Sequence, residues 1–268
     1  MANADGEALA LAPIVAAIED RGLAARGAFA LDDADCASGL DGLAAIVLVG
    51  VAGARGWDAF ATSPEVRDGR ADPLDRWSRR IVDALAADLG ARPLYPFGGP
   101  PYWPFQRWAM RAEPVHAPPL GLLIHPDYGP WHSYRGALGF ASPIDIPARA
   151  PRASPCESCV SRPCLSACPV GAFAPDGYDV AACAGHLRAE TGSVCMNGGC
   201  LARRACPVGG EHRHGGEPAG FHMRAFLSAR VNVVRSAWCG VVDEFKLPFC
   251  THLGHSSVKT YALSVYFA

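Results

Sequence analysis

The sequence predicts an α+β protein in two parts. An N-terminal α/β domain covers residues 1–142 and a smaller domain built around cysteines covers 156–229, joined by a linker at 143–155. Three observations predict this division. The apolar run LAAIVLVGVAG at 43–53 has the length and β-branched content of a buried strand, and helical periodicity stands on both sides of it. Pro143, Pro147, Pro151 and Pro155 then punctuate PIDIPARAPRASP, a pattern of connections rather than of regular elements. Eight of the eleven cysteines follow, all between Cys156 and Cys206.

Taken in order, residues 8–21 repeat apolar side chains at helical spacing, and the strand at 43–53 leads into a helix near Trp57. A second helix, DPLDRWSRRIVDALAADLG, opens at Asp72-Pro73, because proline suits a first helical turn whose N–H would lack a partner anyway. RPLYPF reads as a strand, GGPPYWPFQRW as a loop rich in proline and aromatic residues, and LGLLIHPDYGPWHSYRGALGFA as the end of the domain. The turn Gly50 to Gly56 spaces its glycines as G-x-x-G-x-x-G, which is not the dinucleotide pattern, and no acid follows at the expected distance.

The cysteines read C-x-x-C-x-x-x-x-C-x-x-x-C-P from Cys156 to Pro169, then Cys183, then CMNGGCLARRACPVG with Cys195, Cys200 and Cys206. Closely spaced cysteines ending in Cys-Pro are the pattern of a two-cluster bacterial-type ferredoxin domain. There the cysteine before proline crosses over to the other cluster. That rule groups Cys156, Cys159 and Cys164 with Cys206, and Cys168 with Cys183, Cys195 and Cys200, giving ligands for two 4Fe–4S clusters. Five positions separate Cys159 from Cys164, two more than usual, and the second run is looser still. Structural zinc is the first alternative, but it favours paired C-x-x-C knuckles and only one C-x-x-C is present. A disulfide framework is the second, and it belongs to short secreted chains with an even cysteine count. Cys36, Cys239 and Cys250 read as small buried apolar residues or as tail thiols.

Composition narrows the function classes. Half of the 268 residues are apolar and net charge is −2, with no basic run, which disfavours nucleic acid as a partner. The longest apolar run is too short to span a bilayer and the first residues are acidic rather than basic, so a cytoplasmic protein is expected, with no membrane partner and with a redox protein partner. Within 154–210, Arg162, Arg188, Arg203 and Arg204 balance Glu157, Asp176, Asp179 and Glu190, so the negative charge of bound clusters calls for backbone N–H donors and the nearby arginines. Both lysines, Lys246 and Lys259, lie in 230–268, an atypical C-terminal tail expected to be the least ordered part. Trp103, Phe105, Trp108, Trp131, Tyr95, Tyr102, Tyr128 and Tyr134 make a dense aromatic region that reads as core or as the wall for a flat ligand. His125 and His132 flank the turn at 126–129, and His212 and His214 read as solvated.

Over residues 40–229 the chain resembles ferredoxin-like proteins of proteobacteria that are distant relatives of epoxyqueuosine reductase and of the corrinoid-dependent reductase superfamily. The resemblance is carried by LLIHPDYGPWHSYRGAL, which precedes the cysteine region, and by CPVGAF with Asp179 and Cys183 after it. It implies a nitroreductase-like N-terminal domain that holds a corrinoid (cobalamin) or a flavin, with His125, Tyr128, Trp131 and Arg135 as cofactor-binding residues, fed by the two clusters. PYWPFQRW has Pro101, Tyr102 and Trp103 where those reductases carry an acidic proton donor, so the resemblance stops short of epoxide reduction on transfer RNA. Electron transfer is the activity expected first, and a corrinoid- or flavin-dependent reductase second.

Overall fold

The computed structural model describes residues 8–35, 39–174 and 177–237, with the side chains of residue 34 and of 230–237 left aside. Cys36, Cys239, Cys250, both lysines and most of the tail lie outside the described residues. The chain is a mixed α/β protein of two compact units, residues 1–116 with 132–153 and residues 117–131 with 154–268.

The first unit is organised by a strand whose sequence leaves little choice. The strands are β1 (Leu9–Ala10), β2 (Ala24–Ala30), β3 (Ala45–Ala52), β4 (Arg92–Leu94), β5 (His132–Phe140) and β6 (Ile144–Asp145). Ala45 to Val49 of β3 are all buried, so this run of branched side chains needs cover on both faces and takes a central place. The sheet order is β2-β3-β5-β4, with every pairing antiparallel. An all-antiparallel sheet of this order is not the parallel unit that a dinucleotide site requires. β1 and β6 form a separate parallel pair, so a strand stands where the linker was expected to begin.

Helices cover the sheet as their apolar periods dictate. The helix Leu11–Asp20 buries Ile14 and Ile18, one turn apart. The helix Pro73–Leu89 starts with proline at its first position and stops at Gly90, whose φ of 65° is the left-handed conformation that ends helices. Its buried residues Trp77, Ser78, Val82, Leu85 and Ala86 follow the 3.6-residue period. A Cβ on Gly136 of β5 would come within 3.1 Å of Val82, so the missing side chain there lets helix and sheet approach.

Two elements depart from the sequence reading. β2, AARGAFA, is poor in branched residues and bends at Gly27, where the pairing with β3 shifts register. The helix Phe105–Ala112 begins inside the stretch 98–108 read as a loop and runs past its end, and it buries Phe105, Trp108 and Ala109. Trp108 packs against Phe29, Trp103 and Phe105, so this part of the aromatic region is core. Beside it Arg26 donates to Glu113 at 2.8 Å, and the Tyr134 hydroxyl donates to the same carboxylate. Burial, the largest effect, raises the pKa of Glu113 despite the Arg26 charge that opposes it.

In the second unit the elements are short: the helices Pro155–Ser158, Pro163–Ser166, Val180–Arg188, Ser193–Gly198 and Leu201–Arg204, a hairpin of β7 (Phe173–Ala174) and β8 (Gly177–Tyr178), and the long helix Gly216–Ala237. Its core is Ala172, Cys183, Leu187, Cys195, Met223 and Phe226. Residues 117–131, grouped with the N-terminal domain on sequence, belong to this unit. The long helix also runs past the boundary at 229 drawn from the change in lysine usage.

Candidate functional site

Short helices aim the cysteines. Cys156 follows Pro155 in a turn capped by Ser154, whose hydroxyl accepts from the Cys156 N–H at 3.4 Å. Cys164 lies in Pro163–Ser166, a helix started by proline after Arg162 in the left-handed conformation. Cys183 sits inside Val180–Arg188, which is capped by the Asp179 carboxylate accepting from the Ala182 N–H at 2.9 Å. Cys200 caps Leu201–Arg204, and Cys206 follows that helix.

The electrostatic couplings among the thiols run within two groups. Burial raises the pKa of Cys156, and the charges of Cys206, Cys164 and Cys159 raise it further. Cys164 is likewise raised by burial and then by Cys206 and Cys159. In the second set, burial pushes the Cys183 thiol up to about 11, with Cys200, Cys168 and Cys195 adding to the rise against a hydrogen bond from Tyr178. Pro163–Ser166 runs from Cys164 of the first towards Cys168 of the second, and Leu201–Arg204 runs from Cys200 of the second towards Cys206 of the first. All eight cysteines are free.

Backbone donors point at the sulfurs. The Ala172 N–H donates to Cys168 Sγ at 3.3 Å. Further N–H groups from Leu201 to Cys195, from Arg203 and Ala202 to Cys200, and from Val208 to Cys206 oppose the burial that raises these thiols. A cysteine binds a metal as the thiolate, the form that such donors stabilise. Among the described residues no three His, Cys, Asp or Glu side chains gather closely enough for a single ion. Cysteine thiolates supplied with backbone N–H donors are a donor set that suits an iron–sulfur cluster.

Arg203, one of the arginines counted near the cysteines, is held in a way that its place in the sequence does not signal. It is buried, its guanidinium lies over the Trp131 ring at 4.6 Å, and its Nε and one terminal nitrogen donate to the Pro130 carbonyl at 3.1 and 2.6 Å. Burial pulls its pKa down to about 10, and the Cys200 thiolate acts the other way. Arg204 exerts the matching effect on Cys195.

The four residues offered as cofactor ligands are placed differently. His125, Tyr128 and Trp131 come together in one turn of the second unit, and Arg135 belongs to the first unit. The His125 Nδ1 accepts from the Asp127 and Tyr128 N–H groups at 3.0 and 3.3 Å, so this imidazole builds the turn. Trp131 is buried between Arg203 and His214, and Arg135 donates to Asp75 and, at 3.0 Å, to Ser78. His132 is buried with its ring against Tyr134 in the first unit. His214, expected in solvent, is instead buried between Trp131 and His222, because its loop folds back under the tryptophan. The spacing of glycines around it gave no signal of that.

The site and fold thus define a mixed α/β protein with a cysteine-rich second unit. Comparison with protein-family models and with curated proteins found no match. Among solved structures the chain is similar to epoxyqueuosine reductase from Streptococcus thermophilus, at 13% identity and a TM-score of 0.46 over 74% of this chain and 66% of that one. It is also similar to a selenomethionine-labelled epoxyqueuosine reductase, at 15% and 0.48 over 78% and 68%. A third similar structure is epoxyqueuosine reductase from Bacillus subtilis, at 15% and 0.43 over 80% and 67%. The chain spans about two thirds of the length of these reductases. Among the described residues no helix is long and apolar enough to cross a membrane.

Proposed function

We propose that this chain is an iron–sulfur redox protein holding two 4Fe–4S clusters. Cys156, Cys159, Cys164 and Cys206 ligate one, and Cys168, Cys183, Cys195 and Cys200 ligate the other. The observation that carries the reading is the division of eight free thiols into two mutually influencing foursomes, each supplied with backbone N–H donors. When bound, each cluster takes up and releases one electron with little rearrangement. The chain's own part is to fix the ligands, to direct N–H groups and the charges of Arg203 and Arg204 at the sulfurs, and to shield the second foursome within the core around Phe226. A redox protein partner, in a cytoplasmic setting, would exchange electrons with it. An anaerobic reductive titration followed by electron paramagnetic resonance tests this: uptake of about two electrons per chain supports it, and uptake of none overturns it.

A second reading is an iron–sulfur reductase in which the clusters deliver electrons to a corrinoid or flavin. It is favoured by the separately packed first unit, whose four-stranded sheet exceeds what a relay alone needs. His125, Tyr128, Trp131 and Arg135 are the residues proposed to touch such a cofactor, each already oriented by contacts within its own unit. Titrating the protein with cobalamin, then with a flavin, decides it: a spectral change at micromolar concentration supports a reductase, and its absence leaves electron transfer.

A further inference from the structure

We propose that the turn at 125–131 is a positioning clamp for the loop after Cys206, and that it governs assembly of the cluster on Cys156, Cys159, Cys164 and Cys206. This rests on the two-cluster reading above.

The clamp is built where two backbones meet without side chains between them. A Cβ on Gly129 would lie 2.0 Å from the Val208 carbonyl oxygen, and a Cβ on Gly209 would lie 2.3 Å from the Tyr128 carbonyl carbon. Real Cβ atoms do not approach backbone this closely, and both glycines also hold positive φ, +56° and +67°. The turn is stiff on its own account. His125 and Gly129 exchange backbone hydrogen bonds at 2.9 and 2.8 Å, and the His125 imidazole ties down the Asp127 and Tyr128 N–H groups. The Tyr128 ring then lies between His125 and His212, at centroid distances of 4.7 and 4.9 Å. The Pro130 carbonyl holds Arg203 at the far end of the same loop.

Val208 connects the clamp to the site. It stands two residues after Cys206, and its carbonyl is the group pressed against Gly129. Any side chain at 129 must move the Val208–Gly209 peptide, and with it the short stretch of chain that fixes Cys206. The second foursome takes its donors from Ala172, Leu201, Ala202 and Arg203 and is spared that displacement.

The test compares wild type with Gly129→Ala, Tyr128→Leu and the control Gly185→Ala, which has nothing within 4 Å of its added methyl. Iron is counted after anaerobic reconstitution, and the reduced spectra are set beside those of Cys156→Ala and Cys183→Ala, which mark the two foursomes. Wild type and Gly185→Ala should hold about eight iron atoms and Gly129→Ala about four, with the spectrum of Cys156→Ala. Tyr128→Leu should hold both clusters but surrender the first to a chelator several-fold faster. About eight iron in Gly129→Ala, or loss of the Cys183 cluster instead, overturns the clamp. If Gly129→Ala does not fold, an unchanged chelation rate in Tyr128→Leu overturns it alone. A wild type that holds no iron overturns the two-cluster reading, and the clamp with it.

Discussion

Replacing Arg203 by methionine removes a buried positive charge beside the second foursome while keeping much of its stem. The guanidinium is shielded from solvent and coupled to Cys200, so salt and water do little to screen it. For a unit charge on the order of 8 Å from the added electron, at an effective dielectric of about 20, the interaction is about 2 kcal/mol. At about 59 mV per tenfold change for one electron, this corresponds to a fall of roughly 90 mV in reduction potential. Potentiometric titration with spectroscopic readout measures it, and Arg203→Lys should recover more than half of the loss because it restores charge but not the two bonds to Pro130. An unchanged or raised potential in Arg203→Met would refute the reasoning, since no removal of a nearby cation can favour an added electron.

Other outcomes follow from the same geometry. Trp108→Ala empties a fully buried site among Phe29, Trp103 and Phe105 and should cost about 3–5 kcal/mol of stability in denaturant unfolding. The Arg80 guanidinium, by hydrogen bonding first, holds the Glu65 carboxyl at about 2, below its ordinary 4.5. That stabilisation is present above pH 4.5 and is lost as pH falls towards 2. Because Arg80 is half exposed, Glu65→Gln should lower stability at pH 7 by only about 1 kcal/mol, a difference that closes near pH 2 in parallel unfolding curves. Cys168→Ala should remove one cluster and leave the other, seen as half the iron of wild type; loss of neither would break the grouping of the cysteines.

The elements that could be read from sequence are those where one physical signal dominates. The strand around Ile46 to Val49 is a branched apolar run, and Pro73–Leu89 carries a proline start, a glycine stop and a clear period. β2 gave no such signal, because its alanines suit a helix and its strand character comes from pairing with β3 around the Gly27 bulge. The helix Phe105–Ala112 was masked by the prolines and glycines before it, although Phe105, Trp108 and Ala109 are spaced for one face. Spacing also carries information about which thiols neighbour one another, since a short helix between two cysteines separates them by a fixed rise. It carries none about residues 117–131, whose place in the second unit depends on Gly129 meeting Gly209 across some eighty residues of chain. Long-range fits of bare backbone leave no local pattern. The same holds for Arg203 and His214, whose burial is set by Trp131 rather than by their neighbours in sequence.

The most direct test of the central claim is the iron and acid-labile sulfide content of the anaerobically purified full chain. Two clusters on eight cysteines predict about eight of each per chain in brown protein. Zinc without sulfide, or eight thiols joined as disulfides, would contradict the account.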